Sequence, residues 1–326
     1  MAFVKYVYFK TGKMCYNNDR PLRILGNFLK TSKGRRYPET VEMVNQKGMM
    51  PMAISMAQED VIKVLSFNLR RDFGPQRKNR WETRKALAAR MIEESDAAII
   101  GVQEFLPKMR QDLKGMLDGY SIFGKGRLSG GNPNNDEHSD IIIKNEEVEV
   151  RSCSTFWLSK KPDVPSRALF AVYPRICTVA EVKLKKSGRR LRVFNTHFDH
   201  ISPLARTFGA RMILEQIHQF NQNDPLPTIV MGDFNASPNS KAVKLMRENL
   251  SGYQDVRLQD IYGFLDELIG NTYHGFKGKI KQKFKPIDYI FVSDDFEIVT
   301  ASVDTTSYDG AYPSDHYPIS AVLKLK

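Results

Sequence analysis

From residue 61 onward, short apolar runs alternate with segments whose apolar positions recur every three or four residues. Apolar runs of strand length predict buried β-strands, and the longer period predicts helices that pack on them by one face. VIKVLSF (61–67) and AAIIGVQ (97–103) read as strands, with WETRKALAARMIEES (81–95) between them as a helix carrying Leu87, Ala88, Met91 and Ile92 on one side. Residues 138–200 read as a β-meander of HSDIIIK, EVEVRSCSTFWL, RICTVAEVKL and LRVFNTH. Ser202 and Pro203 suit the cap and first position of a helix. Its apolar side would carry Leu204, Phe208, Ile213, Ile217 and Phe220. PTIVMGD is another strand, Ser237-Pro238 is expected to start another helix, and residues 288–325 close with three more strands. The pattern predicts an α/β fold.

Residues 1–58 lack this regularity and are richer in Lys and Arg than in Asp and Glu. They read as a basic extension or linker ahead of a domain spanning 59–326. Met49, Met50, Met52 and Met56 offer alternative starts, which leaves open whether residues 1–55 belong to the native chain.

Polar residues interrupt the regular pattern at similar places. Asn68 and Glu104 follow the first two strands, His197 ends LRVFNTH, and Asp233 and Asn235 follow TIVMG. Carboxyl ends of strands are where open α/β sheets build their sites. Asp288 begins DYIFV, while Asp315 and His316 precede YPISAVL. If those two strands run antiparallel to the others, their starts reach the same rim. Each motif alone is ordinary, since a Glu after a strand is usually solvated and GDFN is a common turn composition. The ordered set carries the reading. Its donors are oxygen and imidazole with no thiolate, which suits a hard cation such as Mg²⁺, or Mn²⁺, rather than zinc. An imidazole beside an aspartate favours its charged form and can stabilise negative charge developing on phosphorus.

Charge points the same way. The net charge is +12 and the isoelectric point near 9.4, a balance that favours polyanions or phosphorylated partners. Three cysteines, Cys15, Cys153 and Cys177, are too few and too widely spaced to suggest a disulfide framework. No apolar stretch approaches the length of a membrane span, the N-terminus does not resemble a signal peptide, and no membrane-inserting loop is evident. A cytoplasmic monomer without stable membrane insertion or a protein partner is the expectation.

The motifs SFNLR (66–70), GVQE (101–104), FNTHFDH (194–200), MGDFN (231–235), IDYIF (287–291) and SDH (314–316) resemble those of the endonuclease/exonuclease/phosphatase superfamily, in order. TFWLSKKPDVP, YPRICT and THFDH followed by AR resemble a bacterial branch of it. The resemblance implies a four-layer sandwich of two stacked mixed β-sheets flanked by helices, and hydrolysis of a phosphoester by in-line attack of water. It implies that Glu104 binds the metal with Asn68 beside it, and that Asp315 supports it or a second ion. It implies that Asp233 positions or deprotonates the water, Asn235 holds the phosphate, Asp288 orients His316, and His316 and His197 contact the phosphate. Several members carry a tyrosine before the strand that here reads HSDIIIK. His138 stands near that place and is a candidate substrate contact.

Substrate identity is less legible, because fold and function separate readily. NTYHGFKGKIKQKFKP (271–286) leads into Asp288 and offers His274, Lys277, Lys279, Lys281, Lys283 and Lys285, with Phe276 and Phe284 among them. Lysines for phosphates and aromatics for bases suit a single-stranded nucleic acid, although a solvated loop has the same composition. RRDFGPQRKNRW (70–81), beginning with Arg70, is a second basic flank. A nuclease is the leading expectation. A phosphatase or phosphodiesterase for a sugar, inositol or lipid headgroup is the alternative, and a non-catalytic phosphate-binding module is the alternative of another class.

Overall fold

The structure, a computed structural model, describes residues 28–30, 36–38 and 60–326, apart from 75–76, 133, 251, 266–269 and 282–284. The chain divides into two units, Met1–Gln58 and Glu59–Lys326. In the first, β1 (Phe28–Lys30) pairs antiparallel with β2 (Arg36–Pro38), a ladder the sequence pattern did not suggest. The Met49–Met56 stretch lies outside the described residues, as do Lys283 and Phe284.

The second unit contains two stacked six-stranded sheets. One has the order β13 (Phe296–Val303), β14 (Ile319–Leu325), β3 (Val61–Asn68), β4 (Ile99–Gln103), β6 (Ile141–Lys144), β5 (Tyr120–Phe123). The other runs β11 (Leu258–Asp260), β12 (Asp288–Ser293), β10 (Thr228–Asp233), β9 (Arg190–His197), β8 (Ile176–Leu184), β7 (Val148–Trp157). Parallel pairs β3/β4 and β9/β10 among antiparallel neighbours make both sheets mixed. The helices α1 (Trp81–Ser95) and α2 (Pro107–Met116) cover the first sheet, while α3 (Pro203–Asn223) and α4 (Lys241–Arg247) cover the second.

The two-residue period of each strand decides what meets what. Ile62 and Val64 of β3, Ile99 of β4, Leu191 and Val193 of β9, Ile229 and Met231 of β10, and Ile290 and Val292 of β12 fill the layer between the sheets. Their neighbours Leu65, Phe67, Ile100 and Val102 face α1 and α2, and Phe194, Val230, Tyr289 and Phe291 face α3 and α4. Continuing the inner phase along each strand reaches Asn68, Gln103, Asn195 and His197, Asp233 and Asp288. The polar residues therefore sit on the inner faces, at one end of the interlayer core. Just below them Gln103 Nε2 donates to Asn195 Oδ1 (2.7 Å) and Ser66 Oγ (3.2 Å), and Asn195 Nδ2 donates to the carbonyls of Val102 and Asp140, tying the sheets together. Gly101 makes that approach possible: a Cβ there would lie 2.6 Å from Met231 Sδ and 2.7 Å from Asn195 Oδ1.

Three expectations need correction. The predicted meander is broken after its first strand. β7, β8 and β9 form a meander, but β6 pairs with β4 and β5 in the opposite sheet. Alternation records which faces are buried and is silent on which sheet a strand joins. Ser202 caps α3 as read, accepting from the Ala205 N–H, whereas α4 starts three residues after the predicted place, capped by Ser240 through the Val243 N–H. Leu204, placed on the apolar side of α3, is 65% exposed. Among the described residues no helix is long and apolar enough to cross a membrane.

Candidate active site

Registers bring the predicted residues together. Asp233 at the end of β10 lies opposite Asp288 at the start of antiparallel β12 and opposite His197 in parallel β9. β14 is antiparallel to β3, with Ile319 opposite Ser66, so the residues before β14 reach the end of β3. The antiparallel arrangement on which the convergence depended is present in both places.

Asp233 is the centre. Its Oδ2 accepts from Asn68 Nδ2 (2.9 Å) and its Oδ1 from the Asn235 N–H (2.8 Å). His197 Nε2 stands 3.6 Å and His316 Nε2 3.9 Å from the same Oδ2. Each imidazole is held from behind by a carboxylate, His316 Nδ1 by Asp288 Oδ2 at 2.9 Å and His197 Nδ1 by Glu137 Oε1 at 3.1 Å. These contacts assign the proton on each Nδ1 and turn both Nε2 atoms toward Asp233. Asn235 Nδ2 lies 2.9 Å from His197 Nε2 and donates to the Phe198 carbonyl. Glu104 accepts from Asn68 Nδ2 (3.3 Å) and the Arg71 N–H (2.9 Å), while Arg70 Nε pairs with Asp315 (3.2 Å). Arg70, Glu104 and Asn235 all have positive φ, at 55°, 56° and 47°. For side chains other than glycine such backbone costs about 1–3 kcal/mol, and it persists where surrounding contacts enforce it.

Electrostatics separate the roles. Burial and the charge of Asp288 push the Asp233 carboxyl above its ordinary range, which makes its carboxylate a better proton acceptor. Burial opposes the His316 imidazolium, but Asp288, Asp233 and Asp315 outweigh it and raise His316 to about 10, keeping it cationic at neutral pH. Burial and Glu137 also work against the Glu104 carboxylate, yet His197, the Arg71 N–H and His316 leave it below the usual value. Glu104, Asp233 and His316 each offer a ligand atom within 4.8 Å of the others. Asp288 Oδ1 and Asp315 Oδ1 are buried without a hydrogen-bond partner, and acceptors left over in a carboxylate cluster are what a divalent cation satisfies. The donor set fits a hard cation held by Glu104, with Asp315 and Asn68 beside it.

Glu104, His197, Asp233, Asn235, Asp315 and His316 line a cavity of about 450 Å³ together with Arg71, Phe73, Arg127, Tyr173, Arg175 and His200. The sequence reading missed Glu137, Arg127 and Arg175. Glu137 lines the cavity and holds His197, whereas His138, the candidate substrate contact, turns away to Asp140 (3.1 Å) and does not line the cavity. One residue is the difference between the two sides of the chain, and the Glu137–His138 order alone does not set the phase. Arg84, on the buried face of α1, was also missed. It donates to the carbonyls of Leu69, Arg70 and Pro313 and so pins the turn after β3 to the approach to Asp315.

The lysine segment is displaced from the chemistry. Lys277, Lys279, Lys281 and Lys285 line a neighbouring cavity of about 500 Å³, which shares only Tyr273 and Ile287 with the first. Phe276 is half-buried, with the Arg84 guanidinium over its ring. His274 is buried, stacked on Tyr317 at 4.0 Å, with Nδ1 accepting from the Gly278 N–H (3.2 Å), so it shapes the loop and does not reach the catalytic cavity. Burial, and then the charge of His316, lowers His274 from its ordinary value to about 4. A histidine depressed in the folded state stabilises it fully above the unfolded value of about 6.5 and loses that contribution as pH falls through 4. The urea midpoint is accordingly expected to drop between pH 6.5 and 4 more steeply in the wild type than in His274→Phe; parallel curves would refute this.

An exposed apolar groove, unforeseen in the sequence, lies along Leu169, Phe170, Val172, Leu204 and Phe208. Two separate segments contribute to it, so no single apolar run announces it.

A sequence profile of the endonuclease/exonuclease/phosphatase family matches residues 65–316. No curated protein gives a match. Among solved structures, the chain is similar to an endonuclease/exonuclease/phosphatase family protein from Bacteroides thetaiotaomicron, with 30% identity, a TM-score of 0.74, and coverage of 82% of this chain and 99% of that one. It is similar to a mannosyl-6-phosphatase of the same organism, with 31% identity, a TM-score of 0.72, and coverage of 80% and 99%. D. rerio TDP2 complexed with a single-strand DNA product shares the fold, at 16% identity, a TM-score of 0.60, and coverage of 81% and 99%.

Proposed function

The chain belongs to the endonuclease/exonuclease/phosphatase family, and from that premise we propose that it is a metal-dependent phosphoesterase that removes a phosphate from a compact, hydroxyl-rich monoester such as a sugar phosphate. The observation that carries the reading is Asp233, poised between two carboxylate-backed imidazoles beside a set of oxygen donors. Asp233 orients a water by its carboxylate and accepts its proton as the oxygen approaches phosphorus. Asn68 and the Asn235 N–H fix that carboxylate by one bond to each oxygen. The cationic His316 Nε2, held by Asp288, stabilises charge spreading over the phosphoryl oxygens, and His197 with Asn235 presents polar groups on the other side. A divalent ion held by Glu104, Asp315 and Asn68 would neutralise charge on the leaving ester oxygen.

The cavity, about 450 Å³ and open to solvent, with Phe73, Tyr173 and Tyr273 in its lining, accommodates a small headgroup. The similarity to a mannosyl-6-phosphatase supports the same class. The adjoining lysine-lined cavity favours a second reading, a nuclease whose strand runs from Tyr273 along Lys277, Lys279 and Lys281.

One panel separates them: mannose 6-phosphate, an inositol monophosphate, bis(p-nitrophenyl) phosphate, and single-stranded DNA and RNA, each with Mg²⁺ or Mn²⁺. We expect kcat/KM for a monoester to exceed that for every diester by about 10-fold or more, a gap of roughly 1.4 kcal/mol in transition-state stabilisation. Faster cleavage of an oligonucleotide would overturn the first reading in favour of the second.

A further inference from the structure

Away from the metal-binding end, three arginines from distant parts of the chain converge on one carboxylate. Arg71 follows β3, Arg127 lies between β5 and β6, and Arg175 precedes β8. Their Nη1 atoms lie 3.9, 3.2 and 3.6 Å from Glu137. The side chains of Arg127 and Arg175 are 5% and 7% exposed, and the Nε of each is buried without a hydrogen-bond partner. Glu137 is already engaged by His197. The other nearby acid, Asp199, stands 3.9 Å from Arg175 Nε, and its oxygens accept from the N–H groups of Val172, Ile201 and Ser202. Arg175 Nη2 lies 3.0 Å from His200 Nδ1, which takes the acceptor role.

Three guanidiniums thus meet two carboxylates that have other partners, in the wall of a cavity. Gathering like charges out of water is unfavourable unless anions compensate them. Arg127 shows the balance: burial lowers it most, Glu137 opposes this, and Arg175 and Arg71 add to the lowering, leaving it below the ordinary arginine value. The geometry is fixed by the fold: the Arg127 N–H donates to the Glu137 carbonyl and the Arg127 carbonyl accepts from Trp157 Nε1. Arg71 and Arg127 also lie over the Phe73 and Tyr173 rings, each at 4.8 Å, which orders their planes at the cavity mouth. The His197 ring spans the gap between Glu137 on this side and Asp233 on the catalytic side. The cavity therefore has an acidic end suited to a cation and a basic end one imidazole away.

We propose that Arg71, Arg127 and Arg175 form a subsite for a second oxyanion of the substrate, a carboxylate or a phosphate that is not cleaved, so that the site selects compact phosphoesters bearing another anionic group. The proposal rests on the phosphoesterase reading for its catalytic consequence, but binding at the subsite does not require turnover. Guanidinium forks recognise carboxylate and phosphate alike through paired N–H donors.

The test holds the carbon frame nearly constant with glucose 6-phosphate, glucose 1,6-bisphosphate and 6-phosphogluconate, the last two distinguishing a phosphate from a carboxylate. Wild-type kcat/KM is expected to favour at least one doubly anionic compound over glucose 6-phosphate by about 10-fold, mainly through KM. Arg175→Gln and Arg127→Gln should bring that ratio toward one, and Arg175→Lys should restore part of it. Arg71→Gln, at a side chain 23% exposed, supplies a variant whose folding is less exposed to the loss of a buried charge. Calorimetric binding of the same compounds in EDTA reads the preference without catalysis. Selective, arginine-dependent binding by a protein that hydrolyses none of the three would sustain the subsite and sink only the phosphoesterase reading. A ratio near one in the wild type, or a ratio unchanged in all the variants, would overturn the subsite.

Discussion

Changing Asp233 to asparagine is expected to lower kcat by about 10³-fold, within the range spanned by loss of a positioned general base, while leaving the protein folded. The asparagine keeps one acceptor oxygen, so either Asn68 Nδ2 or the Asn235 N–H loses its partner, and it loses the ability to take a proton from water. It also removes a buried carboxylate that Asp288 repels, which offsets the lost hydrogen bond, so the thermal midpoint should change little. His316→Ala provides the contrast. It too should remove most turnover, but it leaves the Asp288 carboxylate buried without its imidazole, and loss of one partner of a buried pair typically costs about 3–5 kcal/mol. The two variants are therefore expected to resemble each other in rate and differ in stability. Steady-state kinetics beside urea unfolding would show this, and near-normal turnover in either purified, folded variant would exclude the assigned mechanism.

Chelation is the second large effect. EDTA followed by exhaustive dialysis should reduce activity to background, and Mg²⁺ or Mn²⁺ should restore it. The physical ground is the crowding of Glu104, Asp233 and Asp315 in the lining of one cavity, with Asp315 Oδ1 lacking a hydrogen-bond partner. A cation that binds only the folded state stabilises it by mass action, by about 2.7 kcal/mol at a hundred times its dissociation constant. Added Mg²⁺ should therefore raise the thermal midpoint of the chelated protein, and Glu104→Gln should need more Mg²⁺ for the same rise. Full activity after chelation, with no thermal response to either ion, would contradict the metal assignment.

The exposed groove and the arginine cluster are alike in origin. Each is assembled from separate segments, so that no single stretch of the chain announces it. Phe170 and Leu204 come from different segments, and Arg71, Arg127 and Arg175 from three. Conversely, the lysine run looked like part of the catalytic cleft because it enters Asp288 directly, but the loop swings its lysines into the adjacent cavity while His274 stacks inward on Tyr317. Proximity in sequence to a catalytic residue fixes a few backbone angles and leaves the direction of a loop to its packing.

What the sequence determined by itself was local and periodic. Alternation in the strands of both sheets put Asn68, His197, Asp233 and Asp288 in the same phase as the interlayer core, the oxygen-rich donor set suited a hard cation, and the ordered motifs carried the family resemblance. Those features need only neighbours one or two residues away and a strand end at which to stop. The tertiary structure decided the rest: that β6 joins the opposite sheet, that Glu137 backs His197 while His138 turns to Asp140, and that three arginines close on one carboxylate. Such choices depend on contacts between segments tens of residues apart, where packing and charge compensation, rather than the period of the chain, select the arrangement.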